Sequence, residues 1–205
     1  MTREPLQLTL LRHGRSLADD EEVCEGRYDS PLTEDGRAQA RKLALYWQAH
    51  PPEFEHVVCS SLQRAHETAN IIGEALNLTP KIDDNWMEFD NGPVAGLPFE
   101  KAKKRYPVPA FRGRYEAFAK DGGESTVSFL RRAQRGLETL LQSNFTNVLV
   151  VAHGGILNMV LRDLLGATRG RFAFGDTAFA RVLVYRDRDE AVLTGVNLQP
   201  HLAKD

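Results

Sequence analysis

Two histidines in this chain follow short apolar runs, and each of them is followed directly by glycine. His13 follows the run 6–11 after one intervening residue, and His153 follows the run 148–151 in the same way. Short apolar runs of this kind are typical of buried strands in a parallel sheet. Because ligands of open α/β sheets bind outside the carboxyl ends of the strands, we expect both imidazoles to face one crevice.

Further groups at the predicted strand ends are suited to an anion. Arg12 directly precedes His13, and Arg64 follows a second predicted strand, 54–59. Gly154 opens a predicted helix, whose free backbone N–H groups favour negative charge. The planar guanidinium of arginine matches phosphate oxygens better than the ammonium of lysine does. Together these groups predict a site for a dianion of the size of phosphate.

A histidine in such a site can act as a nucleophile. Neighbouring arginines disfavour the imidazolium and lower the pKa of such a histidine below its usual value of about 6.5. The neutral ring then has a free nitrogen that can attack phosphorus. The leaving group needs an acid, and Glu88 is flanked by large apolar residues that favour a protonated carboxyl. The residues themselves therefore predict phosphoryl transfer, with Glu88 as the general acid.

The order of predicted elements is typical of an α/β fold. After the strand 6–11 and a polar loop, 15–31, Thr33 is a suitable N-cap for a helix that ends at Pro51. Further helices are predicted from Ser60-Ser61 to Leu76, over 125–141 and over 155–165, and a closing hairpin over 180–185 and 191–196. This alternation predicts a three-layer α/β/α fold with a largely parallel central sheet.

The pattern weakens between residues 79 and 123, where prolines and a basic group, Lys101 to Arg114, occur. We expect this segment to be a small cap or lid over the site, within a single domain that spans residues 1–205. Basic groups of this kind are more often a solvated face than a binding surface.

Composition excludes several classes of protein. A chain of 205 residues with a net charge of −2 fits one domain and gives no reason to expect nucleic acid as a partner. No apolar stretch approaches the roughly 20 residues of a membrane span, and the N-terminus has no apolar core of a signal peptide. The cysteines, Cys24 and Cys59, are expected to be free thiols in a reducing cytosol. We therefore expect a cytoplasmic protein without a membrane partner, and the sequence leaves open whether it forms a homodimer.

Two other chemistries are disfavoured by spacing. Four residues separate Cys59 from Arg64, whereas the phosphate loop of a cysteine phosphatase has five between its cysteine and arginine. Cys59 also falls inside a predicted strand. No glycine-rich loop ending in Lys-Ser or Lys-Thr occurs, and His66-Glu67 lacks the second histidine of a zinc-protease helix.

The sequence closely resembles the histidine phosphatase superfamily, also called the phosphoglycerate mutase-like family. The motifs follow the family's order along most of the chain: Leu11-Arg12-His13-Gly14, the run 26–36, the run 60–65 with Glu67-Thr68-Ala69, Glu88 with Gly92 and Gly96, the run 122–125 and the run 151–155. One such motif is weak alone, and their common order makes the resemblance strong.

The resemblance implies specific roles for these residues. His13 would be the nucleophile and would be phosphorylated transiently. Arg12, Arg64 and His153 would bind the transferring phosphoryl group, and Glu88 would protonate the leaving oxygen. This chemistry needs no metal and no cofactor, and the partners would be a small phosphorylated substrate and inorganic phosphate.

Further substrate-binding residues are expected on the resemblance. Ser16 stands where the family usually has a small hydroxyl residue, and Gly26, Arg27 and Gly154 lie in motifs that face the site. Asp19 departs from the family, because asparagine is frequent at its position. A carboxylate there would repel a dianion unless it is paired, and the nearby candidates are Arg15 and Arg27.

The favoured prediction is a phosphatase of this family. The alternative is a cofactor-dependent phosphoglycerate mutase, which uses the same residues but returns the phosphoryl group to a bound product. Mutases of this family carry a much longer insertion between Glu88 and Gly122-Gly123, so the short segment here favours hydrolysis. An inactive binding domain is least favoured, since His13, Arg64 and His153 are all present.

Overall fold

The central element of the fold is a six-stranded sheet with the order β3-β2-β4-β1-β5-β6. The computed structural model describes residues 3–107 and 109–203. The strands are β1 (Leu6–Arg12), β2 (His56–Cys59), β3 (Lys81–Ile82), β4 (Asn147–Ala152), β5 (Phe179–Tyr185) and β6 (Glu190–Leu198). Strands β1 to β4 run parallel, whereas β5 is antiparallel to β1 and forms the predicted hairpin with β6. The sheet is largely parallel, as predicted.

Helices cover both faces of this sheet. They are α1 (Leu17–Asp20), α2 (Glu34–Ala49), α3 (Gln63–Leu76), α4 (Phe99–Arg105), α5 (Thr126–Gln142) and α6 (Gly154–Leu164). Helices α2 and α3 pack on one face and α5 and α6 on the other. None of them, within the described residues, has the length and apolar character that a membrane-spanning helix needs.

Side-chain alternation along β1 explains why two cores form. Leu8 and Leu10 point into the core shared with α5 and α6, whereas Leu11 points into the core that contains Trp47 and Ile72. Successive residues of a strand face opposite sides of the sheet, so one strand can supply both cores. This arrangement confirms the predicted three layers.

Helix caps fix where the long helices begin. The Thr33 side chain accepts a hydrogen bond from the backbone N–H of Gly36, and the Ser125 side chain accepts one from Ser128. Such caps satisfy backbone donors that the first helical turn leaves free. Helix α1 was not predicted, and it lies inside the segment that the sequence indicated as a polar loop.

The segment 79–123 divides between the sheet and a small separate cluster. Lys81–Ile82 pairs parallel with β2, and Trp86 packs in the core shared with α5 and α6, so the first part of the segment belongs to the sheet layers. Further along, Val94, Ala102 and Ala119 form a minor core apart from the two sheet cores. The chain that follows the sheet edge therefore has an apolar centre of its own.

Candidate active site

The register of β1 and β4 brings the two histidines together. Arg12 lies beside Ala152 in this parallel pair, so the next residue of each strand is a histidine. The backbone N–H of His13 donates to the Ala152 carbonyl at 3.0 Å, and the two imidazole centroids lie 5.0 Å apart. Both rings are buried and lie at the carboxyl end of the sheet, where ligands of α/β proteins bind.

The hydrogen bonds of His13 define which ring nitrogen is free. Its Nδ1 lies 2.7 Å from the Gly14 carbonyl oxygen, which can only accept, so Nδ1 carries the proton. Burial, followed by the charges of Arg64 and Arg12, lowers the pKa of His13 well below its ordinary value. The ring is therefore neutral at neutral pH, with a lone pair on Nε2.

His153 presents a hydrogen-bond donor instead. Its Nε2 lies 2.8 Å from the Ser60 hydroxyl oxygen, which also accepts from the backbone N–H of Leu62 at 3.2 Å. With Ser60 as the donor to Nε2, the remaining ring proton lies on Nδ1. This buried Nδ1 has no hydrogen-bond partner within the described residues, and burial lowers the pKa of His153 well below its ordinary value. A buried ring nitrogen without a partner at the end of β4 is a candidate contact for a ligand.

Arg64 is a fully buried cation in the first turn of α3. Its Nη1 donates to the Tyr28 carbonyl at 3.0 Å and its Nη2 to the Gly26 carbonyl at 2.8 Å, while Nε lies 3.2 Å from Nε2 of His13. Gly26 has a φ of +50°, and a Cβ there would lie 2.1 Å from Oδ1 of Asn91. Glycine is thus required where the loop turns to hold the guanidinium.

Arg12 is held by carboxylates that the sequence did not assign to it. Its Nη1 lies 3.2 Å from Asp176 and its Nη2 lies 3.7 Å from Asp19. The expected pairing of Asp19 with Arg15 or Arg27 is therefore wrong, since Arg15 pairs with Asp20 at 2.5 Å and Arg27 lies beside other acids. Asp19 also accepts from the Ser16 backbone N–H, which fixes its place in α1.

The start of α6 holds the carboxylate of Glu88. Oε2 of Glu88 accepts from the backbone N–H of Gly155 at 2.7 Å, and Oε1 accepts from the N–H of Phe89 at 2.7 Å. A Cβ at Gly155 would lie 2.3 Å from Oε1, so this residue must lack a side chain. In contrast, a Cβ at Gly154 would be no nearer than 3.9 Å to Arg12. The sequence predicted an anion at this helix start, and the structure places the chain's own carboxylate there.

Buried Arg132 and its partner Glu124 support the loop of Glu88. Arg132 donates to the carbonyls of Met87 at 2.6 Å and Glu88 at 3.0 Å, and it pairs with Glu124 at 2.5 Å. Arg27 also faces this loop, with its guanidinium 3.9 Å from Glu124. The structure therefore connects Arg27 to the support of Glu88 rather than to the two histidines.

Glu25 is the site residue that sequence reasoning missed. Oε1 accepts from the Ser16 hydroxyl at 2.5 Å and lies 3.0 Å from Nε of Arg64, while Oε2 lies 3.9 Å from Nε2 of His13. In the sequence, only its position directly before Gly26 distinguished Glu25 from the other acidic residues of that polar loop. The Glu25 carboxylate thus fills the space beside the free nitrogen of His13.

Thr68 is a second missed residue, which ties α3 to the His13 loop. Its hydroxyl accepts from the backbone N–H of Gly14 at 3.1 Å and donates to the Arg64 carbonyl at 2.7 Å. Its place in a family motif was visible in the sequence, but its contacts were not.

A cleft of about 860 Å³ opens beside these groups. Arg12, His13, Glu25, Glu88 and Gly154 line one end of it. In the part of the chain that the structure describes, no cluster of three or more His, Cys, Asp or Glu side chains is arranged to bind a metal. Burial raises the pKa of Cys59 to about 12, which agrees with its interpretation as a core thiol.

A sequence profile of the histidine phosphatase superfamily (branch 1) matches residues 8–198. The chain belongs to this superfamily. Among curated relatives, a bifunctional protein of Mycobacterium tuberculosis is 36% identical over 168 residues, which are 81% of this chain and 46% of that protein. The chain thus spans about half the length of that relative.

Two other relatives carry different functional names. The uncharacterized phosphatase PhoE of Bacillus subtilis is 32% identical over 77% of this chain and 76% of its own length. A probable phosphoglycerate mutase, GpmB of Yersinia pestis, is 31% identical over 78% of this chain and 75% of its own. The solved structure of a mycobacterial glucosyl-3-phosphoglycerate phosphatase with VO3 is similar, with a TM-score of 0.79 at 25% identity, covering 94% of this chain and 99% of that one.

Proposed function

We propose that this histidine phosphatase hydrolyses small phosphomonoesters through a phosphohistidine at His13, without a metal ion. The observation that carries the proposal is the state of His13: a neutral, buried imidazole whose unprotonated Nε2 faces Arg64 at 3.2 Å. A nucleophile needs an unprotonated nitrogen, and a phosphoryl group needs cationic donors around it. Both requirements meet at Nε2, whose lone pair accepts a hydrogen bond from Nε of Arg64 that an incoming phosphoryl group would replace.

The first step transfers the phosphoryl group to the protein. Nε2 of His13 attacks phosphorus, the bond to the ester oxygen breaks, and Glu88 gives its proton to that oxygen. Each oxygen of Glu88 accepts only one backbone hydrogen bond, so a lone pair remains that can bear this proton. Arg12, Arg64 and Nδ1–H of His153 stabilise the negative charge on the phosphoryl oxygens.

The second step returns the protein to its starting state. Water attacks phosphorus, its proton passes to the Glu88 carboxylate, and the bond from phosphorus to Nε2 breaks to release inorganic phosphate. Ser16, Asp19, Gly26, Arg27 and Gly154 would shape the substrate site around these groups, with Asp19 acting through Arg12 and Arg27 through the Glu88 loop.

A mutase activity is the second candidate, because the relative from Yersinia pestis carries that name. It requires a bound product shielded from water while the phosphoryl group returns. The short segment between Glu88 and Gly122, with its small core of Val94, Ala102 and Ala119, supports hydrolysis instead.

Incubation with radiolabelled p-nitrophenyl phosphate in EDTA tests the proposal. We expect turnover in EDTA and, after a rapid quench, acid-labile phosphate on a peptide that contains His13. Turnover that EDTA abolishes would contradict metal independence. If neither turnover nor label is seen, bisphosphoglycerate is supplied next, and phosphoryl exchange with phosphoglycerate would establish the mutase instead.

Substitution of Glu25 by glutamine should strengthen phosphate binding at neutral pH. Burial raises the pKa of Glu25, although Arg64, Ser16 and Arg12 favour its charged form and Asp19 opposes it. As pH rises through this pKa the carboxylate forms beside the phosphate site, and wild-type affinity for a dianion falls. Glutamine stays neutral, so we expect about tenfold tighter inhibition by phosphate in the variant above the pKa and equal inhibition below it.

The comparison uses inhibition constants for phosphate measured across the acid and neutral range. The ionisation of phosphate itself affects both proteins equally, so the ratio of the wild-type inhibition constant to that of Glu25→Gln depends on the charge of Glu25. Exposed Glu21, in the same loop, provides the control Glu21→Gln, which should follow the wild type. A ratio that does not change with pH would exclude competition between Glu25 and the ligand.

A further inference from the structure

The cleft extends beyond the histidines, along α6, to the segment 169–175. Its far end is lined by Arg162, Arg169 and Arg171. We propose that Arg169 and Arg171 bind a second anionic group of the substrate, so that the preferred substrates are phosphomonoesters whose organic part ends in another phosphate or a carboxylate. This inference rests on the proposed hydrolysis at His13 and specifies the substrate class of that site.

Charge is unevenly distributed along the cleft. At the near end Arg12 is paired with Asp176, Glu25 lies 3.9 Å from Nε2 of His13, and Glu88 accepts from the backbone at the start of α6. At the far end Arg169 and Arg171 are exposed and have no ion pair or hydrogen bond to any other described residue. The positive charge that is not compensated within the protein is therefore concentrated away from the phosphoryl site.

The segment that carries these arginines is anchored to α6. Arg162, in the last turn of α6, donates to the carbonyls of Ala167 at 3.3 Å and of Thr168. Asn158 donates to the carbonyl of Phe172 at 2.7 Å, on the other side of the two arginines. The backbone is thus held on both sides of Arg169 and Arg171, which lowers the ordering cost of binding a ligand there.

The length of α6 sets the size of the substrate. Arg162 lies eight residues after Gly154, which corresponds to about 12 Å along a helix with a rise of 1.5 Å per residue. Phe129, Met159 and Phe172 line the cleft between its two ends. The substrate then has a phosphate at one end, an organic part that packs against these side chains, and a second anion beyond that organic part.

Alkyl phosphates of one chain length test this inference. Hexyl phosphate has no second anion, whereas hexanediol bisphosphate adds a phosphate and 6-phosphonooxyhexanoate adds a carboxylate. We expect kcat/KM to be about tenfold higher for either compound with a second anion than for hexyl phosphate, and the preference to decline with salt. Comparing the two added groups shows which anion the far end prefers.

The variant Arg169→Gln/Arg171→Gln should reduce that preference to about twofold or less. A factor of about two remains for the bisphosphate because either of its two identical phosphates can be hydrolysed. The matched control, Arg41→Gln/Lys42→Gln on the exposed side of α2, removes the same charge and should keep the preference. The inference is overturned if wild type treats hexyl phosphate and the longer anions alike, or if the double variant keeps the full preference. In that case the arginines only complement the carbonyl end of α6.

The same compounds distinguish this inference from failure of the proposed function. If p-nitrophenyl phosphate and all the alkyl phosphates remain intact, hydrolysis is wrong, and binding is measured by calorimetry instead. Tighter binding of hexanediol bisphosphate than of hexyl phosphate, lost in the double variant, would still support the second anion site. Equal binding of both compounds would reject it.

Discussion

Replacement of His13 by alanine is expected to abolish turnover and the acid-labile phosphoprotein together. Loss of a covalent nucleophile lowers kcat by about 10⁴–10⁶-fold in enzymes where it has been removed. The ring lies at the end of β1, outside both sheet cores, so the fold should persist. Activity on p-nitrophenyl phosphate, label after a quench and the circular dichroism spectrum measure the three effects.

The control for this variant is His50→Ala. His50 is an exposed histidine that caps the end of α2 and stacks on Tyr46, on the far side of the sheet from α6. We expect it to keep wild-type turnover. Label that survives in His13→Ala would contradict the assignment and would point to His153, the other imidazole in the crevice.

Glu88→Gln is expected to slow alkyl phosphates by about 10²–10⁴-fold, the usual contribution of a general acid. It should slow p-nitrophenyl phosphate much less, because p-nitrophenolate leaves without a proton. The amide of glutamine cannot accept on its nitrogen, so one hydrogen bond from Gly155 or Phe89 is also lost. That positional effect is common to both substrates, and the ratio of the two rates isolates the proton transfer.

Exposed Glu100, in α4, supplies the matched control Glu100→Gln, which should leave both rates unchanged. An equal loss on hexyl phosphate and p-nitrophenyl phosphate would remove Glu88 from the acid role. Glu25 would then be the next carboxyl to test, because it lies 3.9 Å from Nε2 of His13 and burial raises its pKa.

The parts of the site that lie at strand ends could be predicted from the sequence. Apolar runs mark β1 and β4, and parallel neighbours end at the same edge, so the proximity of His13 and His153 follows from topology alone. The N-cap at Thr33 could also be predicted, because capping is a local interaction.

Contacts between loops could not be predicted in the same way. Glu25 reaches Arg64 only because the loop before α2 folds back over α3, and nothing local indicates that path. The pairing of Asp19 with Arg12 depends on the short helix α1, whose few residues carry no periodic pattern. The edge strand Lys81–Ile82 is too short for alternation, and its pairing is a tertiary event.

Arginines 169 and 171 illustrate a different limit. They lie in a segment without apolar periodicity, and only the folded chain shows that they line the same cleft as His13. A pattern of residues can indicate which chemistry is present, but it does not show which distant side chains share a cleft.

The carboxylates around the two histidines have a consequence for the end of the proposed reaction. Glu25 lies against Arg64, Asp176 against Arg12, and Glu88 against the start of α6. In the proposed reaction these groups would still neutralise both arginines after inorganic phosphate departs, so that no buried cation would be left uncompensated. Release of the product would thereby be favoured.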